Sequence, residues 1–418
     1  MDQKIDKVFD SMAAVQDATI AAGADDVEVI MATSSQIGAS VRLGKPEELE
    51  ENNSQVIGIR AFVNGKQAST TLPALDQDTI KDAAEFVVTA AKMATTTNPN
   101  AGLADASAFA KQWNTPEIFD PRVPTVSELL QIAGEAEDAA LQNKRVTISD
   151  GASASRTESG VYIITSNGFQ GHYKKSRSGL QAVMVAEQGD KKERGGEGTS
   201  AIFFSDLESP ADIGRKAAEQ TVAKLGARAP KSGKMPVVYH PDTSAGILGH
   251  FVSAISGRAV MLKQTFLLNA MGQQVLPKGV KIVDDPTLDR GLGTKPFDAE
   301  GLLTARMDLA DDGVLQKWLL DIEAARALGL PAQGNATGGP GANPMPAPSN
   351  VYMSAGDVSP EDLIADMKEG VYITHLFSQG VNLVNGSYNR AATGFMIENG
   401  EITHPVSNFI IAGNLPDM

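Results

Sequence analysis

The chain has 418 residues, of which 42% are hydrophobic and 21% charged, so it can bury a large core in roughly two or three domains. With 51 acidic and 36 basic side chains its net charge is -15, which disfavours contact with nucleic acid or an anionic membrane surface. It contains no cysteine, which excludes thiolate catalysis and cysteine metal ligands. A charged N-terminal sequence and the lack of an apolar run of about 20 residues predict a soluble, cytoplasmic protein.

Residues 1–100 are predicted to form an N-terminal α+β domain. Apolar side chains recur at helical spacing over residues 3–22, which predicts an amphipathic helix. β-rich segments follow, and the strand predicted at 56–63 runs into Asn-Gly at 64–65, the strongest short hairpin signal. A second helix is expected over 76–93.

Residues 101–227 are predicted to form a central domain of antiparallel sheet plus helix. The stretch 95–125 is rich in Thr, Asn, Ala and Pro and is expected to be a long surface connection. A helix is predicted at about 127–141. Several short strands separated by turn signals are predicted between 146 and 186, and a helix at 211–225 is expected to cover one face of the resulting sheet.

Residues 235–418 are predicted to form a C-terminal, mostly-β domain with one prominent helix. A short strand at 235–239 precedes that helix, which Pro241 and Asp242 begin and which carries His250. Further hairpin turns are predicted at 312–313, 385–386 and 399–400. The whole chain is therefore assigned to the α+β class, with antiparallel sheets and covering helices in its first two parts.

The prominent helix has the outline of a zinc-peptidase helix, but of the residues that the zinc chemistry needs only His250 is present. A zinc hydrolase needs neutral imidazoles and other ligands on the metal, and a carboxylate that handles the proton. The next position is Phe251, and no second histidine follows within two helical turns. The pattern predicts a relative of a metal enzyme that holds no metal by itself. A lone histidine on an apolar helix is more typical of a core or interface residue.

Several short motifs follow one another in the third block. They are Gly257, 264–267, 284–287, 296–301, 334–336, 368–373 and 411–415. No single one is specific, but their ordered combination resembles the TldD/PmbA family, and most closely its PmbA (TldE) branch. The opening helix and strands resemble the family too, so the resemblance covers nearly the whole chain.

The resemblance implies what is missing from the helix. In the TldD branch this helix carries His-Glu-x-x-x-His, and a later cysteine completes the zinc site. On this chain the first histidine matches His250, the glutamate falls on Phe251 and the second histidine falls on Ile255. The implied assignment is therefore no catalytic residue and no bound metal on this chain, with zinc held by a TldD-like partner.

The function implied by the resemblance is that of a PmbA/TldE-like subunit of a cytosolic metalloprotease. Such an assembly degrades or processes unfolded and small peptides, including microcin precursors and antitoxins, and this chain would shape its internal chamber while being inactive alone. A link to DNA gyrase is implied to be indirect, since those peptides act on gyrase. Family members are expected to continue beyond 412–415, which predicts a truncated C-terminus and an exposed sheet edge near 405–415.

Asp298, Glu300 and Asn335 are the candidate residues for peptide contact in the chamber. Paired carboxylates such as the first two can hold peptide backbone or an amino terminus. The favoured alternative for Asp298 and Glu300 is a turn that accepts hydrogen bonds from backbone amides ahead of Gly301.

Other chemistry-bearing residues receive weaker assignments. Residues 334–341 suggest a phosphate loop only superficially, because a lysine-serine pair and a strand-to-helix context are missing, and a mobile chamber loop is the favoured interpretation. His240 and His404 are expected to be structural, and no role is assigned to His172 or His375.

Two hypotheses from other classes stay open. The chain could be a homodimeric module that captures extended peptides on a sheet edge without cleaving them. It could also be a hydrolase with a metal-free site, although it offers no nucleophile elbow. Whether the chain is itself an enzyme is left open by its sequence.

Overall fold

The first half of the chain forms one continuous antiparallel sheet with four long helices. The computed structural model describes residues 3–378 and 380–418. The elements of this half are α1 (Gln3–Ala21), β1 (Asp26–Arg42), β2 (Lys45–Val63), β3 (Lys66–Leu72), α2 (Gln77–Met93), α3 (Val126–Leu141), β4 (Val146–Thr165), β5 (Gln170–Gln188), β6 (Lys191–Ala201), a 3₁₀ turn (Phe204–Asp206) and α4 (Pro210–Ala223). The strand order is β3-β2-β1-β4-β5-β6. Because β1 pairs with β4 along most of its length, the sheet crosses the boundary expected near residue 100.

All four helices cover one face of this sheet. Helices α1 and α2 pack over a core that includes Val29 and Met31 of β1, and α3 and α4 pack over a core that includes Ala39 and Val41. Alternate residues of a strand point to opposite faces, so these odd-numbered positions share the helical side. The even-numbered Ile30 points to the other side, where it meets the rest of the chain.

The connection between α2 and α3 is long and more than half of its residues are exposed, as expected, but part of it is buried. Leu103, Phe109 and Ile118 are buried. Phe109 packs with Phe169 and Phe297 against the helix-free face of the sheet. The few apolar residues among the Thr, Asn and Pro of this segment fill the space between the sheet and the C-terminal block.

The C-terminal block contains short strands, four helices and a longer antiparallel pair. Its elements are β7 (Val237–Tyr239), α5 (Pro241–Ala254), α6 (Gly257–Met261), β8 (Ile282–Asp284), β9 (Met307–Asp311), β10 (Val314–Leu315), α7 (Ile322–Leu328), β11 (Ala336–Thr337), β12 (Met345–Pro346), β13 (Val351–Met353), α8 (Pro360–Ala365), β14 (Glu369–Phe377), β15 (Val381–Asn382), β16 (Ser387–Glu398), β17 (Glu401–Asn414) and a 3₁₀ turn (Leu415–Asp417). Strand β7 is parallel to β14, and α5 leads away from β7 as the longest helix of the block. The α+β class is thereby confirmed.

Strand β17 pairs with β16 along one side. On its other side, Arg228 forms a short bridge to Val406. Beyond that bridge Ile410 is 67% exposed. The sheet edge expected near residues 405–415 is thus covered in part by the chain that enters the C-terminal block.

Local turn signals were more reliable than strand limits. Asn64-Gly65 and Asn399-Gly400 both turn with two positive φ angles, as predicted. The prediction of several short strands between 146 and 186 is wrong, because the structure has two long strands, β4 and β5, in their place. Each is paired on both sides, which keeps it continuous through its serines and glycines. No helix in the described parts of the chain is long and apolar enough to cross a membrane.

Candidate functional site

Helix α5 positions His250, which the sequence resemblance aligns with the first histidine of a zinc motif. His240 is its N-cap residue and accepts a hydrogen bond at Nδ1 from the Asp242 backbone N–H, at 3.2 Å, while Pro241 starts the first turn. His250 lies in the last turn, followed by the half-buried Phe251. The expected helix is therefore present with His250 on it.

Ile255, which the same resemblance aligns with a second zinc histidine, lies in a different environment from His250. It is the C-cap residue of α5 and is 0% exposed, within the apolar core that also holds Val252, Trp318 and Leu319. Residues five apart on a helix differ by about 140° in direction. The two positions accordingly face different parts of the block, His250 toward the sheet and Ile255 into the core.

The surroundings of His250 do not suit a zinc ion. Its ring meets Tyr388 edge-on at 5.9 Å between centroids, and its Nε2 is buried without a hydrogen-bond partner. Burial lowers the pKa of His250, and the nearby positive charge of Arg390 lowers it further. Both effects favour the neutral imidazole, which a ligand must be, but the nearby guanidinium repels a cation. Across residues 3–378 and 380–418 no group of three or more His, Asp or Glu side chains is placed to hold a metal.

Asp298 is held by three backbone amides of its own chain. Its Oδ1 accepts hydrogen bonds from the N–H groups of Glu300 and Leu302, both at 2.9 Å, and its Oδ2 accepts one from Ala336 at 3.0 Å. The side chain is 2% exposed, and burial raises its pKa despite these bonds. Gly301 completes the turn with a φ of 80°, where a Cβ would lie 2.7 Å from the Phe169 ring. These contacts are those of a turn residue, and contact between Asp298 and a peptide stays a prediction.

Glu300 and Asn335 are also buried. Glu300 Oε2 accepts a hydrogen bond from the Ile322 N–H at 2.8 Å, at the start of α7, a favourable place for a negative charge. Burial raises the pKa of Glu300 well above its ordinary value, and Asp298 adds to the shift. Asn335 differs from both carboxylates, because its side-chain oxygen is buried without a hydrogen-bond partner. A chamber role for these residues stays a prediction.

The glycine-rich segment 334–341 leads into the hairpin β11–β12, not into the helix that a phosphate loop requires. The Gly341 oxygen accepts a hydrogen bond from Ser69 Oγ of β3 at 2.7 Å. A Cβ at Gly58 of β2 would lie 1.9 Å from the Gly341 nitrogen, so only glycine permits this close approach. The segment packs against strands β2 and β3 of the first sheet. Its role as a chamber loop stays a prediction.

A cleft of about 910 Å³ lies between the first sheet with its helix α4 and the sheet of the C-terminal block. Its walls come from α4, β5 and β6 on one side and from α5, β14 and β16 on the other. Lys224, His375 and Arg390 all line it, and Lys224 Nζ is 3.4 Å from His375 Nε2. Sequence reasoning missed this site, since no local signal relates two residues that are 151 positions apart.

Three family models match the chain in order. Domain 1 of the PmbA/TldA metallopeptidases matches residues 27–94, the central domain of this group matches 119–225, and its C-terminal domain matches 232–418. Together they span most of the chain. It therefore belongs to the PmbA/TldD metallopeptidase family, which confirms the resemblance found in the motifs.

Individual relatives extend over most of the chain. A protein of Escherichia coli O157:H7 named metalloprotease PmbA is 35% identical over 396 residues, which cover 94% of this chain and 86% of the relative. A crystal structure from Bacteroides thetaiotaomicron, described as that of a proposed modulator of DNA gyrase, has a TM-score of 0.90 at 25% identity and covers 99% of this chain and 92% of that one. The crystal structure of TldE from Thermococcus kodakarensis has a TM-score of 0.83 at 19% identity, with coverage of 97% and 92%, and shows the shared fold.

Proposed function

We propose that this chain is a PmbA/TldE-like subunit of a TldD/TldE-type metallopeptidase, without a zinc site of its own. The observation that carries the proposal is the environment of His250. By the sequence resemblance the helix of the family's zinc motif is kept and its glutamate is replaced by Phe251, while the ring of Tyr388 and the positive charge of Arg390 lie near His250. In the proposed assembly a TldD-like partner holds the zinc.

The contribution of this chain is to shape the chamber in which a peptide reaches the partner's metal. Cleavage depends on holding an extended chain near the metal, and misplacement by about 1 Å costs about a hundredfold in rate. The proposed substrates are unfolded and small peptides, of the kind of microcin precursors and antitoxins. Names of relatives support the assignment, since one is called metalloprotease PmbA and another TldE.

The proposal is tested by reconstitution. The chain alone, a TldD-like chain with His-Glu-x-x-x-His, and the mixture are compared for zinc content, native mass and turnover of an unfolded peptide. We expect zinc on the partner, a hetero-oligomer in the mixture, and turnover only when both chains are present. Full turnover by the partner alone would exclude the subunit role, and one zinc per copy of this chain, lost in His250→Ala, would exclude the lack of a metal site.

The same samples separate the two alternatives. A homodimer that binds peptide and leaves the partner's turnover unchanged would favour the non-cleaving module. Chelator-resistant cleavage by this chain alone would favour a metal-free hydrolase.

Restoring the motif by Phe251→Glu with Ile255→His is expected to produce no chelator-sensitive peptidase activity in this chain. Position 255 lies in an apolar core and the chain has no cysteine to complete a site. Peptide turnover and zinc content of the double variant check this expectation. The single variant Phe251→Glu, which keeps Ile255 in the core, is its folding control, and cleavage that a chelator abolishes would contradict the expectation.

A further inference from the structure

Two cations of the cleft beside α5 lack a carboxylate partner. Lys224, half-buried at the end of α4, has its Nζ 3.4 Å from both His375 Nε2 and the Arg194 backbone oxygen. Arg390 donates from Nε to the Phe377 backbone oxygen at 3.1 Å. Within the described residues neither side chain lies in an ion pair. A charge withdrawn from water is costly, and burial lowers the pKa of Lys224, a shift that the nearby charge of Glu193 only partly offsets.

The acidic side chains of the same cleft do not pair with these two cations. Glu219 pairs with Arg215 at 3.3 Å, and Asp242 is an exposed carboxylate whose backbone N–H donates to His240 Nδ1. Glu197 accepts hydrogen bonds from a backbone amide and from a glutamine side chain. None of these three acids forms an ion pair with Lys224 or Arg390, so both cations keep the capacity to bind an anion.

We propose that this cleft binds a carboxylate of a peptide, with the Lys224 ammonium as its main partner. The peptide nature of the ligand rests on the proposed function, whereas the carboxylate follows from the unpaired cations. The carboxylate can be the C-terminal group of the peptide or the side chain of an Asp or Glu, because both offer the same two oxygens to a lysine.

The lining favours a peptide carboxylate over a phosphate. The three nearby carboxylates and the net charge of -15 oppose any anion, but they oppose a carboxylate with one negative charge about half as strongly as a phosphate dianion. Val183, Leu376 and Phe395 supply apolar walls, which suit the neighbouring side chains of a bound peptide. The volume of about 910 Å³ lies within the range of ligand sites, roughly 300–1,000 Å³.

The test is calorimetric titration of the isolated full chain with a short N-acetylated peptide of Ala, Leu, Ser and Thr that has a free C-terminal carboxylate. Parallel titrations use the same peptide as its C-terminal amide, the amide with one internal Asp, and sodium acetate. Since a hydrogen-bonded charge contributes about 1.5–3 kcal/mol, amidation is expected to weaken binding about tenfold or more. Recovery of affinity in the Asp peptide would assign the site to side-chain carboxylates as well; no recovery would restrict it to the C-terminus.

Variants locate the site. Lys224→Met should reduce the affinity for the free-acid peptide to that of the amide, and Lys224→Arg should restore part of the difference. Lys81→Met, which removes an exposed lysine of α2, is the matched control for charge and should change nothing. Equal melting temperatures show that the variants are folded.

Three results would overturn the inference: equal affinity for acid and amide, no effect of Lys224→Met, or no saturable binding of any peptide even where acetate binds. The readout is independent of cleavage. If the reconstituted pair cleaves peptide but this chain does not discriminate acid from amide, the inference alone fails. If this chain discriminates but the partner does not depend on it, the proposed function alone fails.

Discussion

Arg60 in the first sheet and Lys224 in the cleft are both cations withdrawn from water, but their surroundings differ. Arg60 is 5% exposed and makes a bidentate pair with Glu28, at 3.0 and 2.8 Å, across the paired strands β1 and β2. Lys224 Nζ has a histidine nitrogen and a carbonyl oxygen at 3.4 Å and forms no ion pair within the described residues, and the charge of Glu193 offsets only part of the effect of burial on its pKa. A buried charge that has its partner in the chain therefore stabilises the fold, whereas a buried charge without a partner indicates a binding site for a ligand.

The same contrast separates the two sites proposed from sequence. Asp298 has both oxygens engaged by backbone amides, while His250 keeps a buried nitrogen without a partner. We therefore expect removal of polar groups to be costly at the turn and in the first sheet, and to cost little around α5.

The largest effect is expected for Arg60→Met. It leaves Glu28 charged, buried and unpaired, which typically costs about 3–5 kcal/mol of stability. Lys224→Met should change stability by no more than about 1 kcal/mol, because it breaks no ion pair. Urea denaturation of both variants checks the difference, and the double variant Glu28→Leu with Arg60→Met should recover part of the loss. Equal losses for Arg60→Met and Lys224→Met would remove the comparison.

The next effect is expected for Asp298→Ala. It leaves three backbone N–H groups without an acceptor, each of which costs about 1 kcal/mol or more when buried, so a total of roughly 3 kcal/mol is expected. Asp298→Asn keeps one carbonyl acceptor of nearly the same shape and should lose less. Thermal unfolding of the two variants measures this. If both behave like the wild type, the turn is not held by these bonds.

A smaller, pH-dependent effect is expected for Glu300→Gln. Burial raises the pKa of Glu300 in the folded chain above its ordinary value of 4.5, so folding favours the protonated form. Its contribution to stability is present below about pH 4.5 and is lost as the pH rises toward the folded-state pKa. The variant lacks this titration, so its melting temperature relative to wild type should rise with pH above about 4.5. A difference independent of pH between 4 and about 8 would show that Glu300 is not protonated by folding.

The smallest effect is expected for His250→Phe. The Nε2 atom has no partner to lose, and a phenyl ring keeps the edge-on contact with Tyr388. Stability should change by no more than about 1 kcal/mol. A loss above about 2 kcal/mol in urea denaturation would place an essential polar contact on that nitrogen and would weaken the distinction between the two regions.

The family, the fold class and most local features could be predicted from the sequence alone. Capping and turn signals are short-range, so they can be read in one segment. Thr125 and Glu128 form a reciprocal capping box at the start of α3, and Asn64-Gly65 forms the predicted hairpin. The proposed replacement of zinc-motif residues by Phe251 and Ile255 likewise concerns a few neighbouring positions.

Which polar groups have partners depends on the tertiary structure and cannot be predicted from local sequence. Asp298 receives one of its donors from Ala336, and Lys224 meets His375 across 151 positions of sequence. The strands on either side of residues 95–125 join in one sheet that no local pattern in that segment indicates. Hydrogen bonds and ion pairs act over a few ångströms in space, so their partners are set by how distant segments pack, and the same carboxylate or ammonium serves the fold or a ligand according to that packing.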